Sequence, residues 1–255
     1  MASPRKTSPA IPETSSDSEG GTAIAGRLAE LRARIAEAAL AAGRRPEEVE
    51  LVAVSKRQPL GLIAAAFAAG QRIFGENRVQ EAIGKMGHLP SEAQWHLIGP
   101  LQSNKAQMAA GSFDAVHSVD RAKIAHLLDR EQFKIDPGKS SNRMPVFLQV
   151  LLGSEDTKHG FDPTTLVAEA KPLFALRSLE IIGLMCIPPY FEDPQEVRPF
   201  FRQLRELRDQ LSGLPEAKDF RGFLSMGMSH DFEVAICEGA THVRVGTALF
   251  GDRQS

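Results

Sequence analysis

The chain has 255 residues and a formal net charge of -2 at pH 7, with 42% hydrophobic and 24% charged residues. That balance is ordinary for a soluble globular protein and argues against a general nucleic-acid binder, which carries a basic surplus. There is no run of about 18 apolar residues to span a membrane, no apolar core of a secretory signal behind Met1, and only two cysteines, Cys186 and Cys237, too few for a disulfide framework. A cytoplasmic protein is expected, with neither membrane nor nucleic acid as a partner.

Residues 1–22 are rich in serine and proline (Ser3, Ser8, Ser15, Ser16, Ser18; Pro4, Pro9, Pro12) and poor in large apolar side chains. Such a stretch cannot offset its ordering entropy and is expected to be a disordered tail, leaving 23–255 as one domain. Ile24, Leu28, Leu31, Ile35 and Ala38 then repeat at three- and four-residue steps, which predicts a helix with one buried stripe. Gly43 and Pro46 stop it. From there strands alternate with helices. Leu51-Val52-Ala53-Val54-Ser55-Lys56 reads as a strand, followed by an Ala-rich helix over 59–70. Further strand-like runs fall at 72–75, 94–99, 113–118, 145–152, 179–185, 222–225 and 242–246. Asp120 stands as the N-cap of the helix after the fourth strand. Val197, Phe201, Leu204, Leu207 and Leu211 mark the apolar face of a long late helix. Strand–helix alternation repeated eight times predicts an α/β protein, a single-domain (β/α)8 TIM barrel. A doubly wound open sheet, which normally has fewer strands, is the alternative.

In such a barrel the chemistry gathers at the C-terminal ends of the strands. The loops after strands seven and eight, Ser225-Met226-Gly227-Met228-Ser229 and Gly246-Thr247, offer hydroxyls and backbone N–H groups at the place where barrels bind phosphate; ordinary βα loops have a similar composition. Lys56 ends strand one. Partial desolvation there would lower its pKa and free the amine for carbonyl attack; a lysine that merely reaches solvent is the competing reading. A reactive amine beside a phosphate cradle points to pyridoxal phosphate. Arg244 would then face the pyridine nitrogen and weaken the ring as an electron sink, unless it makes a structural ion pair.

The segments Ala53-Val54-Ser55-Lys56, Phe74-Gly75-Glu76-Asn77-Arg78-Val79-Gln80-Glu81, Trp95-His96-Leu97-Ile98-Gly99-Pro100-Leu101-Gln102-Ser103-Asn104-Lys105, Leu224-Ser225-Met226-Gly227-Met228-Ser229-His230-Asp231 and Val243-Arg244-Val245-Gly246-Thr247-Ala248-Leu249-Phe250-Gly251 stand in one order along the chain. Carrying them, the sequence closely resembles the pyridoxal phosphate homeostasis protein family, whose fold is like the N-terminal barrel domain of alanine racemase. The resemblance implies that Lys56 forms an aldimine with pyridoxal 5'-phosphate. It implies phosphate contacts from Ser225, Met226, Ser229, Gly246 and Thr247, with Arg244 at the pyridine nitrogen and Asn77 near the ring. It also implies an intracellular role in vitamin B6 homeostasis without established turnover. Leu151 and Pro100 depart from the family pattern, where asparagine and histidine are usual.

No catalytic residue is assigned, and a carrier that passes the cofactor to apo-enzymes is expected. Alanine racemases add a second domain with a catalytic tyrosine, whereas this chain ends soon after strand eight and Tyr190 is its only tyrosine. For the same reason a monomer is expected. The alternatives are a catalytic pyridoxal enzyme, a racemase or decarboxylase using Lys56 with His96 or His117 as bases, and a cofactor-free Schiff-base aldolase. His96, His117 and His126 lack a ligand spacing, so no metal is expected. Cys186 and Cys237 read as buried thiols, and Arg198, Arg202, Arg205 and Arg208 as a solvated face.

Overall fold

A computed structural model describes residues 15–137, 143–153 and 159–251, with side chains described from residue 21 onward. Eight parallel strands follow one another around a closed barrel: β1 (Glu50–Val54), β2 (Ile73–Glu76), β3 (Gln94–Leu97), β4 (Ala115–Val119), β5 (Met144–Val150), β6 (Leu179–Cys186), β7 (Phe223–Ser225) and β8 (His242–Val245). The ring closes where β8 pairs with β1, Leu51 opposite Val243 and Val52 opposite Arg244. The open sheet is thereby excluded. A closed ring leaves no unpaired strand edge.

The helices are α1 (Ser15–Ala41), α2 (Leu60–Ala68), α3 (Val79–Met86), α4 (Ala106–Ala109), α5 (Ala122–Ile135), α6 (Leu166–Ala170), α7 (Arg198–Ser212), α8 (Phe232–Cys237) and α9 (Thr247–Phe250). All but α1 follow a strand and cover the barrel from outside. The α1 stripe Ile24, Leu28, Leu31, Ile35 and Ala38 is buried as its spacing predicts, and α1 packs on α2, α8 and α9 across the seam between β8 and β1. Its start at Ser15 reaches into the stretch expected to be disordered; the rest of that stretch, 1–14, lies outside the described residues.

Side chains alternate along each strand. Leu51, Ala53, Phe74, Trp95, Leu97, Leu148, Leu224, Val243 and Val245 point outward into one large apolar layer shared with the helices, where Leu128, Phe201 and Phe232 are fully buried. The positions between them point inward. There Phe147, Ile182 and Met185 make a small separate cluster, and His117 and His242 pack on the Phe147 ring.

Three local expectations are corrected. Asp120 does not cap α5: its carboxylate is drawn to the Arg121 guanidinium, and no side chain caps that helix. Cys186 is buried but Cys237 is exposed, because it ends α8 on the solvent side. The arginines on α7 are not a free solvated face. Arg198, Arg202 and Arg205 converge on Glu238 at 2.8, 3.4 and 2.9 Å, a carboxylate that would otherwise be buried without a counter-charge. Arg208 bonds the Gly222 carbonyl and Asp209 instead.

Candidate functional site

A cavity of about 530 Å³ opens at the C-terminal mouth of the barrel. Parity explains its lining. Val52 and Val54 face inward on β1, so Lys56, two residues on, is aimed at the mouth, and Lys56 lines the cavity with Asn77, Ser229, Arg244, Gly246 and Thr247. Six of the eight residues expected from the sequence are thus brought together. Asn77 is held close by a steric device: a Cβ on Gly99 would lie 2.4 Å from the Asn77 carbonyl oxygen, so only glycine at 99 lets the two loops touch.

Ser225 and Met226 are not among the lining residues. The ladder between β7 and β8 continues past Ser225, with the Met226 N–H on the His242 carbonyl and the Arg244 N–H on the Gly227 carbonyl. The chain therefore leaves the wall two residues later than its composition indicates. Met226 is turned outward into the apolar layer, and Ser225 is turned inward, fully buried beneath the cavity. The exposed turn is Gly227-Met228-Ser229. Gly227 has φ 91°, and the Asp231 carboxylate accepts the Met228 N–H at 2.6 Å. The Ser229 hydroxyl meets the Gly246 N–H at 3.4 Å, so the two loops face each other across one small concavity.

The floor is electrostatically unusual. Arg244 is 4% exposed, and its guanidinium donates to two neutral acceptors, the Ser225 hydroxyl at 2.7 Å and the Cys186 carbonyl at 2.8 Å. Burial draws its pKa down, against the pull of Cys186 and Asp231. A guanidinium stays charged even so, which makes the floor receptive to an electron-rich or anionic group. Below it runs a buried chain: Ser225 Oγ lies 2.7 Å from His117 Nδ1, and His117 Nε2 lies 3.0 Å from His96 Nδ1. Burial lowers all three interior histidines, His96 to about 4, His242 to about 3 and His117 well below the ordinary value. Each is neutral at pH 7. His96 and His117 meet as a pair, but with His242 rather than His126 as the third ring. Among the described residues no cluster is arranged to hold a metal ion.

Two wall residues, His159 and His230, escaped the sequence reading, and Tyr190, weighed there as a surface ring, joins them. The Tyr190 ring lies 5.3 Å from that of His230. Outside the wall, the residues flanking Lys56 are tied to a charged cluster. Glu76 Oε1 accepts from the Ser55 hydroxyl at 2.7 Å and from Lys85 Nζ at 2.8 Å. Lys85 also donates to the Ser55 carbonyl and to Glu81 Oε1, and Glu81 Oε1 accepts the Arg57 N–H. Burial raises the Glu76 pKa in opposition to those bonds. The only signal for this cluster was the Glu81, Lys85 spacing of four along a helix.

Residues 27–254 match the family profile of the alanine racemase N-terminal domain. The chain belongs to that family. It is 42% identical to the pyridoxal phosphate homeostasis protein of Aquifex aeolicus over 229 residues, 89% of this chain and 97% of the relative. It is 46% identical to that of Pseudomonas aeruginosa over 232 residues, 90% of this chain and 96% of the relative. Among solved structures, PipY of Synechococcus elongatus with pyridoxal phosphate bound is 42% identical, with a TM-score of 0.76, covering 89% of this chain and 100% of PipY. Alanine racemase of Corynebacterium glutamicum, 16% identical with a TM-score of 0.68, covers 91% of this chain but 62% of the racemase, and shares the fold. Within the alanine racemase N-terminal family, this chain thus groups with the homeostasis proteins at nearly full length.

Proposed function

We propose that this chain binds pyridoxal 5'-phosphate through Lys56 and serves vitamin B6 homeostasis as a carrier without turnover. The observation that carries the reading is that Lys56 and Arg244, from the neighbouring strands β1 and β8, line one cavity together with Ser229, Gly246 and Thr247. The names of the relatives agree with it. When bound, the cofactor supplies an aldehyde that condenses with an amine, releasing water, and a phosphate dianion. Lys56 would give that amine. The hydroxyls of Ser229 and Thr247 and the Gly246 N–H would hold the phosphate, and Ser225 takes a different part, as the acceptor that fixes Arg244. Met226 has no part in it beyond packing.

Arg244 also bears on turnover. A guanidinium donor facing a pyridine nitrogen disfavours protonating it, so the ring stays a weak electron sink. His96 and His117, the two bases weighed for a racemase, are sealed below Arg244 and bonded to each other, out of reach of a substrate in the cavity. Lys56, His159, Tyr190 and His230 remain on the wall, and an enzyme would draw its bases from these. A cytoplasmic setting, a monomeric state and delivery to apo-enzymes belong to the same proposal. Two free thiols fit a reducing compartment.

The test is incubation with pyridoxal phosphate, borohydride reduction and peptide mapping. A near-violet absorption band and a phosphopyridoxyl tag on the Lys56 peptide are expected, both lost in Lys56→Ala. A tag elsewhere with none on Lys56 would overturn the assignment. Racemisation or decarboxylation of any amino acid in a full panel, abolished by Lys56→Ala, would replace the carrier with an enzyme.

A further inference from the structure

Lys56 leaves β1 in a strained turn. Arg57, the next residue, has φ 58°, the single non-glycine residue in left-handed backbone among the described residues. That conformation is disfavoured about tenfold or more for an ordinary L-residue, and a long unbranched side chain does nothing to relieve it. Glycine, asparagine or aspartate would have been the easy solution, and none is there. The strain therefore needs an outside restraint.

The turn is closed by its own backbone bond, the Gln58 N–H on the Ser55 carbonyl at 3.0 Å, and a second restraint comes from α3. Glu81 Oε1 accepts the Arg57 N–H. Lys85, one turn further along the same helix, donates to Glu81 Oε1 at 2.7 Å, to Glu76 Oε1 at 2.8 Å and to the Ser55 carbonyl at 2.8 Å. The residue before Lys56 and the residue after it are thus both bound, through backbone atoms, to one network of two carboxylates and an ammonium. These are charge-assisted bonds in a largely buried setting, Glu76 and Lys85 being 0% and 9% exposed. None of the three charged side chains lines the cavity, and Glu81 and Lys85 are joined to Lys56 through the turn.

We propose that Glu81 is a positioning residue for Lys56, holding the Lys56–Arg57 turn in its left-handed form by the bond to the Arg57 N–H, so that the Lys56 side chain is kept aimed at the cavity. The proposal rests on Lys56 being the residue that attaches the cofactor. Lys85 acts one step back: it neutralises Glu81 and pins the other end of the turn at Ser55. With the bond gone, Arg57 relaxes toward ordinary backbone and the strand parity that aims Lys56 inward is lost at its last step.

Stopped-flow growth of the near-violet band, with pyridoxal phosphate added to the full-length chain, reads the effect. Glu81→Ala is expected to slow capture about tenfold. Glu81→Gln, whose amide oxygen still accepts, stays within about twofold. The decisive variant is Glu81→Ala with Arg57→Gly. Glycine adopts a positive φ freely, so capture should return to within about threefold of wild type, which a merely destabilised fold would not do. Unchanged capture in Glu81→Ala, or no recovery in the double variant, overturns the proposal. Should Glu81→Ala not fold, Arg57→Gly against Arg57→Val in the intact chain asks the same question: glycine keeps the rate, valine slows it about tenfold, and equal rates overturn the idea. A wild-type chain that shows no band at all fails at the cofactor reading instead, so the two failures are distinct.

Discussion

The two faces of the barrel wall are built on opposite rules. The outward face is almost wholly apolar: Leu128, Phe201, Phe232 and their neighbours fill the layer between strands and helices, held by burial alone. The inward face carries His96, His117, His242, Ser225 and Arg244, with a small apolar cluster around Phe147. An apolar layer tolerates approximate packing. A polar interior does not, because each donor left unpaired is penalised in full. The outer layer makes the barrel stable, and the inner one gives Arg244 a single orientation under the cavity.

The comparison can be broken at either face. The largest effect is expected outside. Phe201→Ala removes a fully buried ring from the outer layer and should destabilise by about 3–5 kcal/mol in urea unfolding; a loss under about 1 kcal/mol would show that this layer is not what holds the barrel. Next comes acid. The His96 pKa is pushed from an ordinary 6.5 down to about 4 by burial, so the folded state binds the proton later than the unfolded chain. Its contribution is fully present above pH 6.5 and is lost as pH falls toward 4, by up to about 3 kcal/mol. His242, lowered to about 3, acts in the same direction. Comparing pH 7.5 with pH 4.5, His96→Gln should lose less stability than wild type; equal losses would mean that the interior histidines do not set the acid response.

A smaller effect, about 1–3 kcal/mol, is expected for Ser225→Ala, which leaves Arg244 Nη1 and His117 Nδ1 without the hydroxyl they share. It sharpens the comparison, since little volume is removed: the whole loss is polar, and slower cofactor capture should accompany it. The smallest effect is on neither face. Leu40 is 65% exposed on α1, and Leu40→Ser should stay within about 0.5 kcal/mol, a baseline against which the other three are read.

The outer face was the legible one. Its residues repeat at fixed steps, so the α1 stripe and the eight strands could be read from local pattern, and counting strands led to the ring. Lys56 and the two loops followed, because barrel strands have a known functional end. The inner face resisted for two reasons. Its bonds join residues far apart in the chain, as His117 and Ser225 are, and no local window contains both. Parity also depends on where a strand stops. Ser225 and Met226 were counted with the phosphate loop because their composition is that of a loop, yet the ladder to β8 carries two residues past Ser225, which leaves Ser225 buried beneath the cavity and Met226 turned outward. The grip of Glu81 on the Arg57 N–H was invisible for a third reason: a side chain binding another residue's backbone leaves no trace in residue type at the position it holds. The arginines of α7 illustrate the same limit, since Glu238 belongs to α8's far end and not to their own periodic pattern.

The distribution of chromophores has a practical corollary. The chain has one tryptophan and one tyrosine. Trp95 is 3% exposed in the outer layer, its ring 5.6 Å from Phe74, while Tyr190 is 75% exposed at the cavity mouth. Indole emission therefore reports on the loosening of the barrel's jacket, and phenol emission on arrivals at its doorway, so that one unlabelled sample can be followed in two optical channels at once.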